Sequence, residues 1–178
     1  KTFFKSKENY FESLYIYSFY LDTDSCLWVG TRDSGLYIYD IKSDKVIDVS
    51  EELDIKKLNH AVVREMVCDE FGNFWVATNV GLCCINLKDN SYVFYNHDKK
   101  DKKSIPHDDI FDLMLSDDLL YVTTGDGLAV YDYNRDDFTR CLIVTPFPYL
   151  VSSTPESLRC FRYNKRNLGR ILSSNLTL

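Results

Sequence analysis

An all-β fold of repeated four-stranded units is what this sequence predicts, and three observations carry the prediction. Thirteen Tyr and eleven Phe stand against two Met, with seven Gly to mark turns; aromatic side chains suit a pleated, half-buried surface. Strand-length apolar runs are separated by Gly, Asn and Asp clusters. The pattern also repeats: Gly35, Gly81 and Gly127 lie 46 residues apart, as do Asp40, Asn86 and Asp132. The aromatic anchors Trp28, Trp75 and Tyr121 step by 47 and 46, the extra residue falling in the longer turn at Arg32-Asp33-Ser34. A period near 46 fits four-stranded propeller blades and lies well above leucine-rich or ankyrin units. The predicted fold is a partial β-propeller of three four-stranded antiparallel blades, each of about 46 residues.

Each element follows from alternation and turn chemistry. Residues 1–13 form a lead-in. Blade 1 (14–50) places strands at 14–21, 27–31, 36–40 and 45–49. In blade 2 with its linker (51–97), the apolar run 62–68 suits a covered inner strand. There Asp69-Glu-Phe-Gly-Asn73 is a tight turn in which Gly72 takes positive φ. Strands at 74–78, 82–86 and 91–95 follow. Blade 3 with its linker (98–143) repeats the set at 110–115, 119–123, 128–132 and 138–143. The second-strand aromatics are expected to pack between neighbouring blades.

The pattern stops after 143. A fourth blade would need an aromatic at 167 and a glycine at 173, where Asn167 and Ser173 stand. Up to Cys141 acidic residues exceed basic ones by ten, whereas beyond it basic residues exceed acidic by four. Residues 144–178 are a linker, a diverged partial blade or an aberrant terminus.

A net charge of −6 argues against nucleic acid, whose binding requires a cationic footprint. No run approaches the roughly 18 apolar residues of a membrane-spanning helix, so no direct membrane contact is expected. The sequence starts at Lys1 with no signal peptide and reads as a fragment. The six cysteines (Cys26, Cys68, Cys83, Cys84, Cys141, Cys160) lack metal-ligand spacing and mostly sit in strand-like runs as small hydrophobes. Asp22-Thr-Asp24 and Asp69-Glu70 lack the glycine and glutamate of a calcium loop and read as turns. No motif of a catalytic nucleophile, zinc peptidase or phosphate loop is present. No catalytic residue, metal or cofactor is therefore expected.

Gly72-Asn-Phe-Trp-Val-Ala-Thr-Asn-Val-Gly-Leu82 and Cys26-Leu-Trp-Val-Gly-Thr31 resemble the repeats of the two-component regulator propeller family. The segments Phe94-Tyr-Asn-His-Asp98 and Lys103-Ser-Ile-Pro-His-Asp-Asp-Ile110 resemble that family's inter-blade linker. Ala77 departs from it where glycine is common, as does Tyr121 where tryptophan is expected. The resemblance, over residues 14–143, implies a ligand-sensing module of the periplasmic or extracytoplasmic part of a hybrid histidine kinase. Its implied partners are a small-molecule ligand such as an oligosaccharide and further blades of the parent chain. Two other readings stay open: a propeller enzyme resembling streptogramin lyases, and a scaffold without a small ligand.

Strand parity places the ligand. In a four-stranded meander, successive turns fall on alternate ends of the blade, so the second-to-third turns share one end with the long linkers. The residues expected to bind there are Arg32, Asn79, Asp126, His60 and His107. His60 and His107 occupy equivalent repeat positions, where the alternative role is to hydrogen-bond the linker backbone. His97 has no equivalent and is expected to be exposed.

Overall fold

The computed structural model describes residue 11, residues 14–116 and residues 119–141. Within them, twelve strands form three four-stranded antiparallel sheets, each a simple meander. Blade 1 is β1 (Ile16–Leu21), β2 (Cys26–Thr31), β3 (Leu36–Asp40) and β4 (Lys45–Asp48). Blade 2 is β5 (Val63–Cys68), β6 (Asn73–Thr78), β7 (Gly81–Asn86) and β8 (Tyr92–Tyr95). Blade 3 is β9 (Ile110–Ser116), β10 (Leu119–Thr124), β11 (Gly127–Asp132) and β12 (Asp137–Cys141).

All twelve expected strands form, with ends shifted by one or two residues. Several begin earlier than their apolar residues, because polar and glycine residues at strand ends still join the ladder: Asn73 pairs with Asn86 and Thr78 with Gly81. The linker after blade 1 holds structure that period-2 patterning does not signal. A short helix, α1 (Val49–Glu52), is capped by Asp48, whose Oδ1 accepts from the Ser50 amide at 2.8 Å and its hydroxyl at 2.6 Å. A 3₁₀ turn at Lys56–Leu58 follows. The expected tail (144–178), positions 142 and 143 of the expected last strand, and most of the lead-in lie outside the described residues.

Turn chemistry repeats with the strands. Asp22 and Asp69 end the inner strands of blades 1 and 2, and each accepts turn amides on Oδ1 and a tryptophan indole N–H on Oδ2. Trp28 donates to Asp22 at 3.2 Å and Trp75 to Asp69 at 2.9 Å. Gly72 has φ of 85°, as expected, and Ser25 holds the same place with φ of 71°. At the opposite ends of the second strands, the Thr31, Thr78 and Thr124 hydroxyls donate to the carbonyls of Gly35, Gly81 and Gly127. Each also accepts the amide of Ser34, Val80 or Asp126. All three threonines are buried, so each hairpin is locked by a hydroxyl that is itself satisfied.

Two apolar cores lie between the blades. Trp28 and Leu36 of blade 1, with Val49 of the linker that follows, meet Phe74, Val76 and Ile85 of blade 2, with Trp28 and Phe74 ring centroids 4.3 Å apart. Trp75 and Leu82 of blade 2 meet Leu113, Leu120 and Tyr131 of blade 3, with Trp75 and Tyr131 at 4.9 Å. Trp28 and Trp75 thus fill the space between successive blades, as the repeat requires. The five described cysteines are free, and Cys83 and Cys84 face these two cores in turn. Burial pushes the Cys84 thiol up to about 12 and raises that of Cys83 further, so both are inert hydrophobes here.

Candidate functional site: the loop end of the blades

The inner strands set the frame of the site. In each, the ladder with the second strand skips one residue at the same repeat position: Tyr17, Arg64 and Phe111. A bulge of this kind bends the strand and re-aims the extra side chain. Beyond the bulge, each inner strand is tied to its own second-to-third turn. Arg32 N–H donates to the Tyr15 carbonyl at 2.8 Å and Asn79 N–H to the Val62 carbonyl at 3.3 Å. Gly125 N–H donates to the Asp109 carbonyl at 2.8 Å. These bonds hold turn and linker side by side at one end, as strand parity requires.

The five expected ligand residues all reach this end and are exposed, one or two to a blade. Arg32 lays its guanidinium over the Tyr15 ring, 5.5 Å from the centroid, a cation–π pair at the surface. Asn79 is held in structure, since its Oδ1 accepts the Val62 amide at 2.8 Å; its NH₂ remains the group that could meet a ligand. Asp126 is fixed through its amide to the Thr124 hydroxyl and presents its carboxylate outward.

The two histidines differ despite their equivalent positions. His107 Nδ1 accepts the Asp109 amide at 2.9 Å, so its proton sits on Nε2. The imidazole lies over Gly125, where an added Cβ would come within 2.9 Å of Nδ1. His107 and the Gly125-Asp126 turn are therefore brought together. His60 takes a left-handed backbone, φ 62°, beside Gly35, whose missing Cβ leaves room for the Leu58 carbonyl. His97 corrects an expectation. It is half-buried, donates from Nδ1 to the Ile105 carbonyl at 2.9 Å, and gives its amide to Asp108. The linker curls back on itself there, which encloses the ring.

The sequence reading missed the groups that join one blade to the next at this end. Arg64, the bulge residue of β5, donates from Nη1 to Asp109 Oδ1 at 2.6 Å and to the Ile110 carbonyl at 2.8 Å. It also stacks over Phe111 at 4.8 Å. Asn96 receives the Lys57 ammonium and donates to Asp108 and the Val80 carbonyl. Only the 47-residue spacing of 17, 64 and 111 hints at these roles.

The same linker lines a groove of about 400 Å³ on the outer side of blades 2 and 3, walled by Tyr95, Lys103, Ile105, Arg135, Asp136 and Phe138. At its edge both the Tyr95 and Tyr131 hydroxyls donate to Asp136 Oδ1. Lys103 and Arg135 flank Asp137 at 2.8 and 3.4 Å. Among the described residues, no group of His, Cys, Asp or Glu is placed to hold a metal ion, and no helix is long and apolar enough to cross a membrane. The arrangement offers fixed amides, carboxylates, guanidinium groups and aromatic faces, which suit recognition by hydrogen bonding and stacking.

Three successive four-stranded blades, packed through their second-strand aromatics, define a partial β-propeller. Residues 10–33 match the model of the family described as two component regulator propeller. That segment is similar to the family's repeat, and the two further blades follow the first in register. Among solved structures it is similar to the extracellular domain of BT3049 from B. thetaiotaomicron, assigned to a hybrid two component system. That match has a TM-score of 0.59 and 23% identity over 71% of this chain and 18% of the other. It is likewise similar to the extracellular domain of BT4673 from B. thetaiotaomicron, assigned to a one component system, with a TM-score of 0.63 and 19% identity. There the match covers 84% of this chain and 18% of the other. The chain thus spans under a fifth of those structures, and the likeness is one of fold. No curated protein sequence matches it.

Proposed function

We propose that this chain is a non-enzymatic ligand-sensing module, part of the extracytoplasmic propeller of a two-component signalling protein. Its ligand is a small polyhydroxylated molecule such as an oligosaccharide, bound at the loop end. One observation carries the reading: the second-to-third turns and both linkers hold exposed polar side chains on a rigid hydrogen-bonded frame at one end of the blades. Function gathers on loops so supported. The family match and the extracellular setting of the structural neighbours support the signalling context. Arg32 and Asp126 carry the charged contacts, Asn79 and His107 the neutral ones, and His60 borders them.

The test is calorimetric titration of the protein with candidate oligosaccharides. Arg32→Ala and Asp126→Ala are each expected to weaken binding about tenfold or more, the range of a charge-assisted hydrogen bond. Lys88→Ala, on a third-to-fourth turn at the other end, leaves it unchanged. If Lys88→Ala weakens binding while both loop-end variants do not, the ligand sits on the opposite face.

A further inference from the structure

Where the loop ends of blades 2 and 3 meet, polar side chains and an aromatic ring are gathered by bonds that fix each of them. The bulge in β5 turns Arg64 out of its strand. Its Nη1 donates to Asp109 Oδ1 at 2.6 Å and to the Ile110 carbonyl at 2.8 Å, while the guanidinium carbon lies 4.8 Å from the Phe111 ring centroid. The backbone of Asp109 is held twice: its amide donates to His107 Nδ1 at 2.9 Å, and its carbonyl accepts the Gly125 amide at 2.8 Å. The His107 ring rests over Gly125, next in sequence to Asp126. Arg64, His107, Asp109, Phe111 and the Gly125-Asp126 turn therefore form one connected group.

The group is ordered without being used up. A guanidinium carries five N–H donors and a carboxylate two acceptor oxygens; among the described residues, only Nη1 of Arg64 and Oδ1 of Asp109 are engaged. The two side chains are 22% and 32% exposed, so the pair reaches solvent. A partly exposed ion pair adds little to stability, and the junction of blades 1 and 2 holds without one. There Tyr17 and Val62 stand at the places of Arg64 and Asp109, and the Val63 carbonyl, equivalent to that of Ile110, accepts the Ser18 hydroxyl at 3.4 Å. Packing of one blade on the next thus does not account for the pair.

A donor and an acceptor held side by side match two adjacent hydroxyls, one accepting from the guanidinium and the other donating to the carboxylate. Charged partners make such bonds the stronger kind. His107, with Nδ1 taken, offers its Nε2–H to a third oxygen, and the half-buried Phe111 ring gives an apolar surface to the C–H side of a sugar. The charges of Arg64 and Asp109 offset each other, and the exposed Asp126 carboxylate on the neighbouring turn repels an anion.

We propose, on the reading of the loop end as the ligand-binding face, that this junction is the subsite that grips a vicinal diol of an uncharged sugar ring. Arg64 and Asp109 are the residues that set its specificity.

The test titrates the full chain with the hexaoses of glucose, mannose, galactose and arabinose, and with hexagalacturonate. A neutral hexaose is expected to bind, and hexagalacturonate to bind more weakly. Asp109→Asn keeps an acceptor for Arg64, and Arg64→Lys keeps the charge but loses the planar fork. Each should weaken binding of the neutral hexaose about tenfold, with denaturant midpoints within error of the original. Derivatives of that sugar lacking the 2- or the 3-hydroxyl separate direct contact from positioning. The derivative that loses the gripped hydroxyl should bind the original chain about as weakly as the parent sugar binds Asp109→Asn, and should lose nothing further in that variant. Binding that survives both substitutions while Arg32→Ala or Asp126→Ala weakens it overturns the diol subsite and leaves the loop-end face standing. Additive losses from substitution and deoxygenation, or tighter binding of hexagalacturonate, overturn the subsite as well. Binding of no hexaose, or binding weakened only by Lys88→Ala, overturns the face itself and the subsite with it.

Discussion

At the scale of single residues, the Asp69 carboxylate shows how a turn residue becomes a core residue. It is 9% exposed and accepts the amides of Phe71 and Asn73, the Asn73 side chain and the Trp75 indole, all within 3.0 Å. Those bonds position the ring that fills the core between blades 2 and 3. Trp75→Ala is expected to cost about 3–5 kcal/mol, the usual range for truncating a buried aromatic. Asp69→Ala should cost about 2–3 kcal/mol, because it strands a buried indole N–H and several amides. Asp22→Ala should cost less, since Asp22 is more exposed and accepts fewer donors. Urea melts of the three variants check the order. A loss below about 1 kcal/mol for Trp75→Ala would contradict the blade packing.

At the scale of elements, the strands were legible in the sequence because two periodicities agree there: alternation along each strand and a 46–47-residue register between blades. Gly72, the closing Asp40, Asn86 and Asp132, and the second-strand aromatics all stand where that register puts them. What escaped was the part that alternation along a strand does not show. The helix α1 grows from a single capping aspartate, and the Arg64–Asp109 bridge depends on a bulge that turns one residue out of the alternation. Of the candidate site, the end of the blade was readable from strand parity, whereas the split between His107 and His60 depends on backbone conformation. The tie between blades 2 and 3 was hidden for a similar reason, since Tyr95 and Tyr131 belong to different repeat positions. Burial above all, and then bonding to Asp136, holds the Tyr95 phenol above its ordinary value of 10.0. Tyr131 is raised as well, again chiefly by burial. A phenol with a raised folded value stays protonated in the native state while the unfolded chain begins to ionise. The stability it contributes is present below pH 10 and lost as pH climbs past it. Denaturant midpoints measured from pH 8 to 11 should therefore fall above about pH 10, and Tyr95→Phe should make that fall shallower. An identical pH profile in the variant would remove the cross-blade tie from the explanation.

At the scale of the whole molecule, the described blades leave one broad apolar surface. Tyr15, Ile16, Tyr17, Phe19 and Leu21 are 66, 48, 52, 74 and 58% exposed along a single segment, and β1 is also the inner edge strand of its sheet. Scattered apolar residues are ordinary on a protein surface, but a contiguous row on a sheet edge is a site for association. The rest of the blade explains why this surface does not unfold the fold: Val29, Leu36 and Tyr39 remain buried, so blade 1 keeps its own packing. The 178-residue chain is accordingly expected to associate in a concentration-dependent manner and to bind an apolar dye. The double variant Phe19→Asp, Leu21→Lys should abolish both. Because the two side chains are mostly solvated, the substitutions should change stability by no more than about 0.5 kcal/mol. Sedimentation, dye titration and a denaturant melt on the same samples separate the cases. If the double variant loses several kcal/mol, β1 is covered within this chain; if dye binding and association persist undiminished, the sticky surface lies elsewhere.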